Sequence, residues 1–149
     1  MKYPIIPCLV FFLTACSEKN TRIIPVDKVA VVADITSKMD KQQIAWNNGD
    51  LESFMIPYWK SDSLQFIGKR GINYGWQKTL DNYRKSYPDK EAMGRLQFTN
   101  LQKEVIDSSN VFVVGKWELF RTADTLGGHY TLFWKKINGD WVIIADHSS

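Results

Sequence analysis

Near the end of this sequence a carboxylate and an imidazole are adjacent, Asp146 and His147. Such a pair can do acid–base work at the mouth of a pocket. Adjacency limits it. In an extended segment neighbouring side chains point to opposite faces, so at most one of the two lines a given pocket. The other, or both, can simply hydrogen-bond the end of a sheet or a neighbouring loop. Glu118 is a third candidate, beside Trp117 in an otherwise apolar stretch. Buried there, it would have a raised pKa and could act as a base or ligand anchor. The same alternation equally allows a solvent-facing Glu, and Lys116 on its face could neutralise it.

A second constellation is aromatic: Trp46, Tyr58, Trp59, Phe66, Tyr74, Trp76, Tyr83, Trp117, Tyr130 and Trp134. Six Trp is high for 149 residues. Tyr and Trp join an apolar body to a polar tip, which suits a pocket that orients an apolar ligand. Any one of them taken alone reads more simply as core.

Other chemistries lack their residues. Two His on different segments do not make a metal site by spacing, so no metal or cofactor is expected. The only cysteines are Cys8 and Cys16, which leaves the body of the chain without a thiolate site or disulfide framework. Gly68-Lys69-Arg70-Gly71 lacks the spacing of a phosphate-binding loop and reads as a solvated turn. No nucleophile elbow is present. The formal charge is +3 without a basic cluster, which argues against a nucleic acid partner.

The elements that must position these residues follow from periodicity. Val26 to Asn48 reads as a long helix, with Val32, Ile35, Met39 and Trp46 at near-helical spacing. Gly49 ends it. Asp50 is a good N-cap for a short second helix, and Pro57 closes that helix. Ser63 to Ile67 reads as a short strand, and Gly68, Gly71 and Gly75 mark a turn region. Trp76 to Tyr87 is a third helix, with Trp76, Leu80, Tyr83 and Tyr87 on one face.

The period then changes to two. Leu96–Ile106, Val111–Arg121, Gly128–Ile137 and Trp141–His147 read as four long strands, antiparallel because their connections are short. Asn138-Gly139 is the strongest hairpin signal. If Ile137 faces Asp140, then Trp134 faces Ile143, Leu132 faces Ala145 and Tyr130 faces His147. One face would carry Tyr130, Leu132, Trp134, Trp141, Ile143, Ala145 and His147. The other would carry His129, Thr131, Phe133, Val142, Ile144 and Asp146. A one-residue slip exchanges the two lists. Both faces are largely apolar, so helices should cover one and a second subunit part of the other.

The chain begins with an address. Lys2 precedes an apolar run, Ile5 to Leu13, too short to span a bilayer as a helix. The run ends in Leu13-Thr14-Ala15-Cys16, which resembles the bacterial lipobox. That resemblance implies cleavage before Cys16 and lipidation of its thiol, leaving the mature chain without a free thiol. Several acyl chains hold a protein on a membrane without a spanning helix. Ser17, rather than Asp, follows the Cys, which by the same resemblance favours the outer membrane of the cell envelope. The expected organisation is a signal peptide at 1–15, a lipidated polar tether at 16–25 and a single domain at 26–149.

The order of elements is that of an α+β cone: a curved antiparallel sheet wrapped around a long N-terminal helix, with two further short helices. Trp46-Asn47-Asn48-Gly49-Asp50-Leu51-Glu52-Ser53-Phe54-Met55 resembles the opening of the nuclear transport factor 2-like, SnoaL-like superfamily. Gly115-Lys116-Trp117-Glu118-Leu119 in the middle resembles the same superfamily, and Thr131-Leu132-Phe133-Trp134-Lys135-Lys136 and the ending from Trp141 to Ser149 resemble its small bacterial members of unknown function. The resemblance implies a pocket at the open end of the cone and, in many members, a homodimer through the sheet. Trp59, Trp76, Tyr83, Trp117 and Tyr130 come from elements that should border that opening. Fold membership leaves function open. The primary expectation is a membrane-anchored protein binding a small, mostly apolar molecule. The alternatives are an isomerase, cyclase or dehydratase using Asp146, His147 or Glu118, and a homodimeric interaction module.

Overall fold

A computed structural model describes residues 25–149. The expected signal peptide, Cys16 and the expected tether up to residue 24 lie outside the described residues. The described elements are α1 (Lys28–Asn48), α2 (Leu51–Phe54), β1 (Gln65–Gly68), β2 (Gly71–Tyr74), α3 (Trp76–Ser86) and α4 (Lys90–Met93). Four strands follow: β3 (Arg95–Val105), β4 (Asn110–Phe120), β5 (Thr125–Ile137) and β6 (Asp140–Ser148). The sheet is curved and mixed, with strand order β2-β1-β6-β5-β4-β3.

Local chemistry sets the helix ends. Asp27 caps α1 by accepting from the Ala30 amide at 3.0 Å. Gly49 closes it with a left-handed φ of 81°. Asp50 caps α2 through the Ser53 amide at 2.9 Å. In the β5–β6 turn Asn138 and Gly139 take φ of 52° and 87°, the double positive that a two-residue hairpin requires.

Ile35, Met39, Ala45 and Trp46 of α1 pack into one core with Val111, Val113, Leu132, Trp134, Trp141 and Ile143 of the sheet. Polar residues on α1 satisfy the edge strand β3. The Asn47 amide accepts from the Leu96 N–H at 2.7 Å and donates to the Leu96 carbonyl at 3.0 Å. Gln43 accepts from the Phe98 N–H at 2.6 Å. The helix thereby covers backbone groups that an edge strand would otherwise leave open.

Three smaller features differ from the sequence expectation. β2 occupies the region read as turns. It is an edge strand whose Ile72 and Tyr74 are exposed, so it carries no burial pattern. The one-turn helix α4 is too short to show periodicity; Asp89 caps it through the Ala92 amide at 2.8 Å. The sheet is also not wholly antiparallel, because β1 runs parallel to β6.

The largest difference is one residue. From Ile137↔Asp140 to Trp134↔Ile143 the β5–β6 register is the expected one. A bulge then leaves Ile144 unpaired, and the ladder resumes as Phe133↔Ala145, Leu132↔Asp146, Thr131↔His147 and Tyr130↔Ser148. Asp146, not His147, therefore shares the inner face with Leu132. This corrects the lower part of both expected face lists.

Trp134 is fully buried, and its indole N–H has no partner among the described residues. Trp134→Ala should destabilise the fold by about 3–5 kcal/mol. Trp134→Phe should cost less than half as much, because it also removes an orphaned donor whose burial costs about 1–3 kcal/mol. Urea denaturation of both variants checks this order; equal losses would contradict it.

Candidate functional site

Between α1, α3 and the inner face of the sheet lies a cavity of about 270 Å³. Most of its lining is aromatic: Trp46, Phe54, Tyr58, Phe66, Tyr83, Tyr87, Phe98, Trp117 and Tyr130. Among the described residues its one acidic side chain is Asp146, and Lys69 lies at its edge.

Tyr83 is the hub of the aromatic wall. Its ring meets Trp46, Phe54 and Phe66 edge-on, with centroids 5.9, 5.4 and 5.7 Å away. Edge-to-face contacts place the positive rim of one ring on the negative face of the next and hold each ring in a defined orientation. On the far wall Tyr130 packs edge-on against Phe98 at 5.4 Å and donates to the Asn100 side chain at 2.8 Å. Gly115, directly across from Tyr130 in the β4–β5 ladder, makes room for it. A Cβ there would lie 2.2 Å from the phenol carbon and oxygen.

Asp146 is only 3% exposed. The Tyr58 hydroxyl donates to its Oδ2 at 2.6 Å, and the Ser148 hydroxyl donates to its Oδ1 at 2.7 Å. Burial raises its pKa above the ordinary 3.8, while these two hydrogen bonds and the charge of His147 oppose the rise. The phenols of Tyr58, Tyr83 and Tyr130 are all pushed up, first by burial and then by the negative charge of Asp146. Each carboxyl oxygen keeps a second lone pair beyond the hydroxyl it already holds. The cavity therefore offers a ligand an aromatic enclosure and one polar anchor. The buried Trp117 indole N–H, on a ring that lines the cavity, has no partner among the described residues.

Of the residues singled out in the sequence, Asp146, Tyr83, Trp117 and Tyr130 come together around this space, with Trp46, Tyr58 and Phe66 of the wider aromatic set. His147 does not: the bulge turns it to the exposed outer face. Glu118 is also on the outer face, where Lys116 donates to it at 2.8 Å. Trp59 and Trp76 lie outside the lining. The segment of Trp59 turns away after Tyr58, and Trp76, at the start of α3, uses its indole N–H to bond the Met55 carbonyl at 3.0 Å. Tyr58, Phe66 and Phe98 are wall residues that the sequence did not separate from core aromatics. Phe66 is placed by its pairing with Asp146 and Tyr58 by its bond to it; neither relation has a local signature. Among the described residues no group of three His, Cys, Asp or Glu side chains could hold a metal ion.

A long helix held in a curved sheet, with a cavity at one end, defines the nuclear transport factor 2-like class of α+β cones. The chain belongs to that superfamily: it is 41% identical to an NTF-2 like protein of unknown function from Shewanella oneidensis, with a TM-score of 0.77 over 80% of this chain and 98% of that one. A nuclear transport factor 2-like superfamily protein from Salmonella enterica shares the fold at 18% identity, with a TM-score of 0.64 over 81% and 91% of the two chains. So does LinA, at 16% identity and a TM-score of 0.67 over 83% and 87%. No protein-family model matches the chain, and neither does any curated protein.

Two predictions follow from this geometry. Because burial raises the folded pKa of Asp146, its protonated form stabilises the fold below about 3.8, and that contribution is lost as pH rises through the folded value. Asp146→Asn should therefore melt higher than wild type at pH 7, and the gap should close below pH 3.8. Thermal melts across that range check it; an Asn variant less stable at neutral pH would show that the carboxylate is favoured. Gly115→Ala should destabilise by about 1–3 kcal/mol through overpacking against Tyr130, read by urea denaturation; a neutral outcome would mean that the ring moves freely.

Proposed function

We propose that this protein binds a small, mostly apolar molecule in the aromatic cavity, with Asp146 as its polar anchor. One observation carries the reading: a ligand-sized space enclosed by aromatic rings, with a single buried carboxyl turned into it. Structural cores are normally packed nearly without voids. A volume of about 270 Å³ is at the small end of ligand pockets, enough for a molecule of two or three rings or a single chain.

The test is fluorescence titration with N-phenylnaphthylamine, a neutral aromatic probe. Leu132→Phe enlarges a wall residue into the cavity. It should weaken binding about tenfold, the equivalent of roughly 1.4 kcal/mol, with the melting temperature held within a few degrees. Binding that ignores this substitution would place the probe elsewhere and count against the reading.

A second reading is an isomerase, cyclase or dehydratase with Asp146 as general base. What favours it is a carboxyl whose pKa burial raises inside that same cavity. A molecule captured with the protein from its host should then change chemically with wild type but not with Asp146→Asn.

The wider setting belongs to the same proposal. Lipid on Cys16 would tether the domain to the bacterial envelope, at the outer membrane. Cys16→Ser should move the protein from the membrane to the soluble fraction after cell lysis. On the outer face of the sheet, Phe112, Val114, Phe133 and Val142 are half-buried, with Phe112 directly opposite Phe133. A second copy covering this strip would make a homodimer, which light scattering measures.

A further inference from the structure

A second hollow of about 260 Å³ adjoins the first and shares Phe66, Lys69, Tyr83 and Tyr87 with it. Its character is different. Lys69, Arg70, Asn73, Asn82 and Ser86 line it, and no Asp or Glu does.

Lys69 and Arg70 form the two-residue connection between β1 and β2, closed by the Gly68↔Gly71 pair. Among the described residues neither forms an ion pair, whereas Lys38, Arg84, Lys116 and Arg121 each hold an acid. The amides of Asn73 and Asn82 also make no side-chain hydrogen bond among the described residues. Two cations and two amides thus face one hollow without a partner. This is the donor set that a carboxylate, sulfonate or phosphate accepts from.

The turn is held in register with the inner cavity. β1 pairs with β6 so that Phe66 lies opposite Asp146. Lys69 follows three residues later, a rise of about 10 Å along extended chain. The strand that flanks the carboxyl therefore carries the cations to the rim. An anionic group held there stands off from Asp146 by roughly the length of a small apolar body.

Resting on the cavity reading above, we propose that the ligand is an amphipathic anion. Its apolar body occupies the aromatic cavity, and its anionic group is held at the rim by Lys69 and Arg70, with Asn73 and Asn82 beside them.

The experiment uses two probes with the same body, N-phenylnaphthylamine and its anionic counterpart anilinonaphthalene sulfonate. Both are titrated into wild type, Lys69→Gln/Arg70→Gln and Leu132→Phe. Charge-assisted hydrogen bonds of this kind favour the sulfonate by about tenfold in wild type. The double variant should erase that preference, weakening the sulfonate about tenfold more than it weakens the neutral probe. Added salt should weaken only the sulfonate. Equal binding of the two probes by wild type would overturn the proposal, as would a double variant that leaves the sulfonate unaffected. Displacement of the dye by the same concentration of inorganic sulfate would overturn it too, since the apolar body would then be irrelevant. If Leu132→Phe weakens the neutral probe while the sulfonate ignores the double variant, only the anion subsite falls. If Leu132→Phe affects neither probe, the cavity reading falls and the subsite with it.

Discussion

Ile143 is bound from both sides of β6. Its amide donates to the Pro57 carbonyl at 2.8 Å, its carbonyl accepts from the Trp59 amide at 2.9 Å, and across the sheet it opposes Trp134. Two residues later the same edge of β6 changes partner, from the Tyr58 segment to β1, which begins pairing at Ala145. Ile144 falls at that change and is left over. The extra residue inverts the alternation beyond it. Asp146 thereby enters the cavity, Ser148 follows to bond it, and His147 goes to the outer face. The same connection draws Tyr58 to within 2.6 Å of the carboxyl. One double-sided strand position thus assembles the acid and its hydrogen-bond donor.

The cavity is expensive to keep. Its walls forgo the dispersion contacts that a filled core would make, and Asp146 is desolvated. The structure offsets this with directed contacts. Tyr58 and Ser148 each satisfy one carboxyl oxygen, Asn100 satisfies Tyr130, and the rings around Tyr83 brace one another edge to face. Gln42, buried beside the cavity, donates to the Phe54 carbonyl at 3.0 Å. A wall held by geometry rather than by filling leaves the space open.

Most of the scaffold was legible in the sequence because it rests on local rules. The caps at Gly49 and Asp50, the Trp76–Tyr87 helical face and the Asn138-Gly139 hairpin each depend on a few neighbouring residues. Four long strands were readable from alternation. β2 and α4 were not: one is an exposed edge, the other a single turn, and neither buries enough to leave a period. At the site, Tyr83, Trp117 and Tyr130 were legible as aromatics on elements that border the opening. Trp59 and Trp76 satisfied the same criterion and still lie off the lining: the chain turns away between Tyr58 and β1, and the Trp76 indole is drawn to the Met55 carbonyl.

By itself the sequence determined the class of fold, the hairpin that registers β5 on β6, and that at most one of Asp146 and His147 can face inward. These are consequences of backbone sterics and side-chain period, which act between near neighbours. Only the tertiary structure decided that the inward residue is Asp146. The bulge at Ile144 contains no glycine or other local mark. It exists because residues eighty or more positions earlier compete for the other edge of β6, and strand register is a property of both partners at once.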